Sequence, residues 1–553
     1  MDRTTSIILL ESFIDRIERD SDSGKWRLSG PISSQELESL NFAVAELRDH
    51  QAFQDIPTRR EPMTTRPRVV IKLESLKLEK PEDPEVTLCM DFGTAMSKAF
   101  AIRSSTGKPL ELALGSRAGV DGSVFAVPSS LFITSNGRLH FGQSAINQSL
   151  QDDTPGRKRF DSPKQELSQG TISDLGESPI MQEINPTPVP LTKKDLITMY
   201  LAFLTDLAST ELNERHGASR YVVRRFARPC WDEKRTTWAE RELKDMLAAA
   251  QIIADTFHGE WAEGINVTQV RNVLDQVKGQ ALPSCLISNG VAEPIAAAAS
   301  RVIQGKAQRR PYMIIDIGAG TTDFGLFVVR ENPKEEWIRA FQIGNGIRGV
   351  RRAGDTIDSI LREEIIRRHG IPTGLDDPIR KRIIANLDLR IRTYKETLFR
   401  RGMVEYVLND DSKGSLTVAE FLDLPGTKRF SELLEQEFRS ILDAIDSSWI
   451  KSVIAPAGLT VILTGGGSNL PMVEPLAEGF IESQRANIVR SRGPALPQWI
   501  EEDHQEFTDE YPQLAVAMGG ASPDLPEMMK PVMEFGGLAN RTVMPGNLQI
   551  SGT

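Results

Sequence analysis

Two aspartates, Asp91 and Asp316, each end an apolar run and are followed, one apolar residue later, by glycine and hydroxyl residues. The stretches are VTLCMDFGTAMSKAFAI, Val86 to Ile102, and YMIIDIGAGTTDFGLFVV, Tyr312 to Val329, with the aspartates 225 residues apart. Each reads as a β-hairpin whose tight turn lets backbone N–H groups and hydroxyls come close to a phosphate. Gly93, Thr94 and Ala95 make the first turn, and Gly318, Gly320, Thr321 and Thr322 the second. Aspartate oxygens are hard ligands of the kind Mg²⁺ takes directly or through water, so Asp91 and Asp316 are candidate metal ligands. Two such loops suggest one polyphosphate held from both sides.

Two further stretches carry chemistry. CLISNGVAEPIAAAASR reads as strand, turn and helix, with Pro294 suited to a first helical turn because it lacks the N–H that would be unsatisfied there. Glu293 therefore stands at a strand-to-helix junction, facing whatever the strand ends build. LTVILTGGGSNLPMVEPLAEGF reads as buried strand, glycine turn and helix, and Gly465, Gly466 and Gly467, followed by Ser468, let the backbone lie flat against a ligand such as a nucleoside.

The elements that must position these residues extend over a chain of 553 residues, long enough for about two to four domains. Ile7, Leu10, Ile14 and Ile17 recur at helical spacing, as do Leu37, Leu40, Val44 and Leu47, with Ser33 and Glu36 as a capping box for the second helix. Prolines and basic residues between Pro57 and Pro84 read as a connector around one strand, VVIKL. Short strands flank the Asn136-Gly137 turn, and residues 151–191, polar and Pro-rich, read as a long excursion or loop. Helical periodicity returns at Leu191 to Asn213 and at Asp232 to Phe257, on either side of the strand-like YVVRRFARP, and again in the Arg-rich stretch from Asp355 to Arg400.

Composition narrows the function classes. A net charge of −10 and a pI near 5.4 argue against a large nucleic-acid or acidic-membrane surface. Cys89, Cys230 and Cys285 are far apart, with no CxxC pair, and read as buried reduced thiols. No apolar run reaches the roughly 18 residues a membrane span needs, and the N-terminal IILL is flanked by Asp2 and Glu11 without a cleavage site, so a cytoplasmic location is expected.

In this order the motifs resemble the actin and 70-kDa heat-shock protein ATPase superfamily, which also contains sugar kinases. DFGTAMSK looks like its first phosphate loop, AEPIAAA its first connecting segment, DIGAGTTDFG its second phosphate loop, LTGGGSNLP its adenosine loop and YPQLAVAMGGA its closing helix. The match runs from about Val86 to Pro526. FARPCWDEKRTTWAERELKDMLAAA, EPIAAAA and RRAGDTID lean toward the heat-shock branch, whereas Lys98 resembles the lysine of actin's first loop.

The resemblance implies an α/β fold with two lobes, duplicated ribonuclease-H-like halves around a nucleotide cleft. Its expected divisions are a helical extension at 1–56, a connector at 57–85, a first lobe at 86–310, a second at 311–505, a closing helix at 506–530 and a tail at 531–553. It implies ATP or ADP with Mg²⁺ as ligands. Asp91, Asp316 and Asp323 resemble the acidic groups around hydrated Mg²⁺ and the attacking water. Glu293 resembles the carboxylate that positions water or metal, and Thr94 and Thr321 the hydroxyls facing the terminal phosphates. Lys98 would reach the β- or γ-phosphate as a point charge. The catalytic lysine of the heat-shock branch has its nearest counterpart in Lys158, with Lys164 second.

Departures concern the base pocket. Lys395 in YKETL fits, but Arg392 stands where the family has a glutamate and Asn469 where it has a stacking arginine, so guanidinium stacking by Arg392 is the expected substitute. About 27 residues follow Pro526, too few for the usual peptide-binding domain. The leading expectation is a slow, Mg-dependent ATPase, chaperone-like without the client-holding module, whose lobe closure signals to a protein partner. A filament-forming actin relative, a scaffold without catalysis and a small-molecule kinase are the alternatives.

Overall fold

A computed structural model describes residues 17–19, 26–28, 69–152, 154, 156–302, 311–332, 337–371, 377–408 and 411–529. The chain divides into two compact units, Met1–Pro67 and Arg68–Thr553. In the first, Ile17–Arg19 pairs antiparallel with Trp26–Leu28. Ile17 is thus a strand residue and not the end of a helix, since a short apolar run fits either period. The rest of both expected helices, with Ser33 and Glu36, lies outside the described residues.

The second unit is mixed α/β and contains two large sheets, each entered through one of the two Asp-Gly hairpins. The first hairpin is β1 (Asp83–Asp91) with β2 (Met96–Arg103), followed by β3 (Lys108–Leu110), β4 (Val222–Arg228) and β5 (Ile287–Ala292). Its spatial order is β3-β2-β1-β4-β5, with β1, β2 and β3 antiparallel and β4 and β5 parallel to β1. The second hairpin is β6 (Pro311–Ile317) with β7 (Thr322–Asn332), followed by β8 (Trp337–Val350), β9 (Leu459–Thr464), β10 (Gly479–Ser483), β11 (Ala486–Arg492) and β12 (Glu527–Met529). Within its order, β10-β11-β9-β6-β7-β8-β12, the run β8-β7-β6-β9-β11 repeats the first sheet in both order and direction. Every residue of β6 is buried, as expected for a central strand covered on both faces.

Helices cover these sheets where sequence caps start them. The described helices include α1 (Pro163–Gln169), α2 (Lys193–His216), α3 (Glu233–Thr256), α4 (Glu293–Val302), α5 (Gly354–Arg368), α6 (Pro378–Arg401) and α7 (Tyr511–Ala521). Thr192 and Asp195 form a capping box for α2, and the Asp232 side chain accepts the Arg235 N–H at the start of α3.

Three segments differ from expectation. The 151–191 stretch is not simply a loop: it contains the strand Phe160–Asp161, α1 and the helix Ile172–Gly176, with Pro163 in the first turn of α1 and Leu167 buried beneath it. Its polar composition hides these elements because they are short. VVIKL is irregular rather than a strand. Val69, Ile71 and Leu73 pack on the core, while the Val69 carbonyl and Lys72 N–H bond to the side chains of Gln276 and Thr256, leaving the ladder unnecessary. After the three glycines there is no full helix, only a turn at Glu474–Leu476, as Pro471, Pro475 and Gly479 interrupt it.

The last described helix, α7, returns to the first sheet. A β-carbon at Gly519 would sit 1.6 Å from the Ala296 carbonyl oxygen, and one at Gly520 2.3 Å from Cys89 Sγ. The two glycines therefore let α7 touch α4 on one side and β1 on the other. Trp499, Ile500 and Phe507, just before α7, already share a core cluster with Cys89, Phe100 and Ile102 of the first sheet.

Candidate functional site

Register places the acids. Across the first hairpin Asp91 faces Lys98, and across the second Asp316 faces Asp323. Lys98 Nζ lies 3.2 Å from Asp91 Oδ2. The second hairpin has two carboxylates at the matching positions. Glu293 joins them at the start of α4, and all four acids are buried: Asp91 is 6%, Asp316 7%, Asp323 0% and Glu293 7% exposed.

The cation that joins this group is Lys164, from α1. Its ammonium is ion-paired with Glu293 and lies 3.9 Å from Asp91 Oδ1. Lys158, the lysine expected here, is exposed, and among the described residues it forms no ion pair with these acids; Lys164 is the lysine brought to them. Pro163 starts α1 and burial of Leu167 orients it, so a side chain one residue into the helix points into the sheet ends.

Electrostatics follow from dense negative charge under low exposure. Burial, with Asp323 and Asp91 adding to it, pushes the Asp316 carboxyl up to about 7. Burial also pushes Glu293 upward, against the pull of Lys164. For Lys164, burial disfavours the charge, but Glu293 and Asp91 outweigh it and raise the ammonium above its ordinary value. Asp323 Oδ1 accepts the Cys230 N–H at 2.8 Å, while its Oδ2 is buried without a hydrogen-bond partner. An orphaned carboxylate oxygen beside other acids suits a cation or its water shell.

The two loops meet beside the acids. A β-carbon on Gly320 would lie 2.9 Å from Thr94 Oγ1 and 3.0 Å from Gln165 Nε2. The Gln165 amide donates to the Asp355 carboxylate, and the Asp355 N–H donates to the Ala319 carbonyl at 2.7 Å. Gly318 accepts from the Gly354 N–H at 3.1 Å, so the start of α5 braces the second loop. Ser129 braces the first: its hydroxyl donates to the Gly93 carbonyl at 2.7 Å and its N–H to the Ala95 carbonyl at 2.8 Å. Thr94 and Thr321 are half-buried at the meeting point. Thr322 is not available there, being fully buried with its hydroxyl donated to the Arg352 carbonyl at 2.7 Å.

The three glycines serve this site differently from one another. Gly465, at φ +84°, approaches so closely that a β-carbon would lie 2.2 Å from Asp316 Oδ1, and one on Gly467 would lie 2.5 Å from Ile317 Cγ2. Only Gly466 faces open space, so two of the three exist to seat this turn on β6. Ser468 is buried and Asn469 exposed.

The α6 side chains reach both loops. Arg392 Nη1 donates to the Ala95 carbonyl at 3.5 Å, in the first loop. Lys395 Nζ donates to the Gly354 carbonyl at 3.2 Å and to Asp358 Oδ2 at 2.9 Å. Gln165 and Asp355 were not singled out from sequence as site residues. Asp355 lies in RRAGDTID, the stretch that resembles the heat-shock branch, and Gln165 follows Lys164 within a Pro-started helix, with no local signal of its own.

Among the described residues no three His, Cys, Asp or Glu side chains converge closely enough to hold a metal ion by themselves. The acids present fit a cation bound mainly through water and a ligand's oxygens, which is the habit of Mg²⁺. A separate cavity of about 440 Å³ lies between α4, the outer face of the second sheet and residues 494–502; it includes none of these acids. No helix among the described residues is long and apolar enough to cross a membrane. No protein-family model matches the chain, and no curated protein matches it.

Proposed function

We propose that this chain binds a Mg²⁺-nucleoside triphosphate between its two hairpin loops and hydrolyses it slowly. In this reading the two sheets are the duplicated halves of an actin and 70-kDa heat-shock protein type ATPase. Their closure on ATP, as against ADP, is the signal passed to a protein partner. The observation that carries it is the meeting of two equivalent Asp-Gly loops, Thr94 against Gly320, directly above Asp91, Asp316, Glu293 and Lys164.

Hydrolysis of a phosphoanhydride requires in-line placement and charge neutralisation more than covalent chemistry. Asp91 and Asp316 would hold the water shell of Mg²⁺, which would supply charge neutralisation at the phosphates. Lys164 sits where it can neutralise a terminal phosphate while its partner Glu293 orients the attacking water, and Asp323 Oδ2 offers an acceptor for that water. Loop N–H groups and the Thr94 and Thr321 hydroxyls supply donors to the phosphates. The duplicated sheet order supports two halves able to move about α4 and α7, which cross where glycines replace side chains.

Calorimetric titration with Mg-ATP and Mg-ADP, together with a phosphate-release assay, tests the proposal. Wild type should bind both and release phosphate slowly, and D316N should release none above background. Equal release from both proteins removes the hydrolysis claim, and absence of any nucleotide binding by wild type removes the reading altogether.

A further inference from the structure

Arg392 and Lys395 lie three residues apart on α6, so they share one helix face. That face spans both loops: Arg392 reaches the Ala95 carbonyl of the first, and Lys395 reaches Gly354, which packs on Gly318 and Ala319 of the second. Burial raises the Asp355 carboxyl to about 6 against the opposing pull of Arg392, and Asp355 is bonded to Gln165 and to Ala319. The guanidinium is half-buried, and its Nε is buried without a partner. Its one bond to the loop is a long contact to a neutral carbonyl. Such a cation gains far more from a phosphate oxygen, which a guanidinium meets with two N–H groups, than from a single peptide oxygen. Lys395, by contrast, is neutralised by Asp358 at 2.9 Å and serves to fix the second loop.

Resting on the reading of the site as a nucleoside triphosphate clamp, we propose that Arg392 is the residue that distinguishes a triphosphate from a diphosphate. It exchanges the Ala95 carbonyl for the terminal phosphate, so that α6 contacts the ligand through this guanidinium only when that phosphate is present. The α6 face is then a cationic wall of the phosphate site rather than a support for the base.

The test compares Mg-ATP and Mg-ADP affinities of wild type, R392A and R392K by calorimetry. R392A is expected to weaken Mg-ATP by about tenfold or more while changing Mg-ADP by less than about twofold, and R392K to recover part of the loss. A purely structural role would move both affinities together. The proposal is overturned if R392A changes ATP and ADP binding equally or leaves both as in wild type. Should R392A not fold, R392Q gives the same ratio. Failure of wild type to bind either nucleotide would refute the clamp itself, an outcome visible before any variant is made.

Discussion

Lys98 faces Asp91 across the first hairpin at the register at which Asp323 faces Asp316 across the second, with 3.2 Å between the Lys98 ammonium and the Asp91 carboxylate. The two hairpins are thus equivalent in backbone but carry a cation and an acid at the matching position. One holds an ion pair and the other two acids. Replacing Lys98 by alanine leaves Lys164 3.9 Å from Asp91 to share its charge, so the fold should survive. Mg-nucleotide affinity should fall by about tenfold, as for loss of one charge-assisted contact. Titration calorimetry reads this directly; an unchanged affinity would assign Lys98 to holding Asp91 alone.

Lys164 and Lys158 separate cleanly in a phosphate-release assay. K164A takes away the ammonium between Glu293 and Asp91 and should slow turnover about a hundredfold or more, the scale for one preorganised charge. K158A alters an exposed side chain and should stay within about twofold of wild type. Circular dichroism of both variants checks that the comparison is between folded proteins.

The acid pair makes stability depend on pH. Asp316 has its proton affinity raised to about 7 from an ordinary 3.8, so between those values the folded chain keeps a proton that the unfolded chain releases. Its contribution is therefore present at low pH and is lost as pH rises through about 7. D316N lacks this titration. Relative to wild type it should be more stable at about pH 8 than at about pH 5.5 in denaturant unfolding without nucleotide, and a pH-independent difference would contradict the assignment.

Helix crossing at Gly519 leaves no space for a side chain. The β-carbon of alanine would overlap the Ala296 carbonyl oxygen, a backbone atom that cannot turn away, so α7 and α4 must separate. G519A should cost about 3 kcal/mol, measured as a lower denaturation midpoint at unchanged slope. Alanine at Gly466, which faces open space, should be close to neutral for stability and informative for ligand binding.

The paired hairpins, the strand-to-helix junction at Glu293 and the helical stretches of α2 and α3 were legible from residue order alone, and the closing helix from the resemblance of its motif. Local rules suffice for the hairpins, the junction and the two helices: apolar runs closed by Asp-x-Gly make hairpins, Pro294 opens a helix, and apolar periodicity marks α2 and α3. Residue type also limited the chemistry, since buried aspartates beside glycine and threonine favour phosphate and a hard cation. Tertiary structure decided which lysine meets those acids. Lys158 and Lys164 are indistinguishable as residues in a polar stretch, and only the fold of Pro163–Gln169 against the first sheet buries one and exposes the other. It also decided that Arg392 reaches the first loop, and that Gly465 and Gly467 seat a turn on Asp316 and Ile317. These contacts join residues hundreds of positions apart, and their geometry is set by how two sheets and a crossing helix pair pack, which no local propensity encodes.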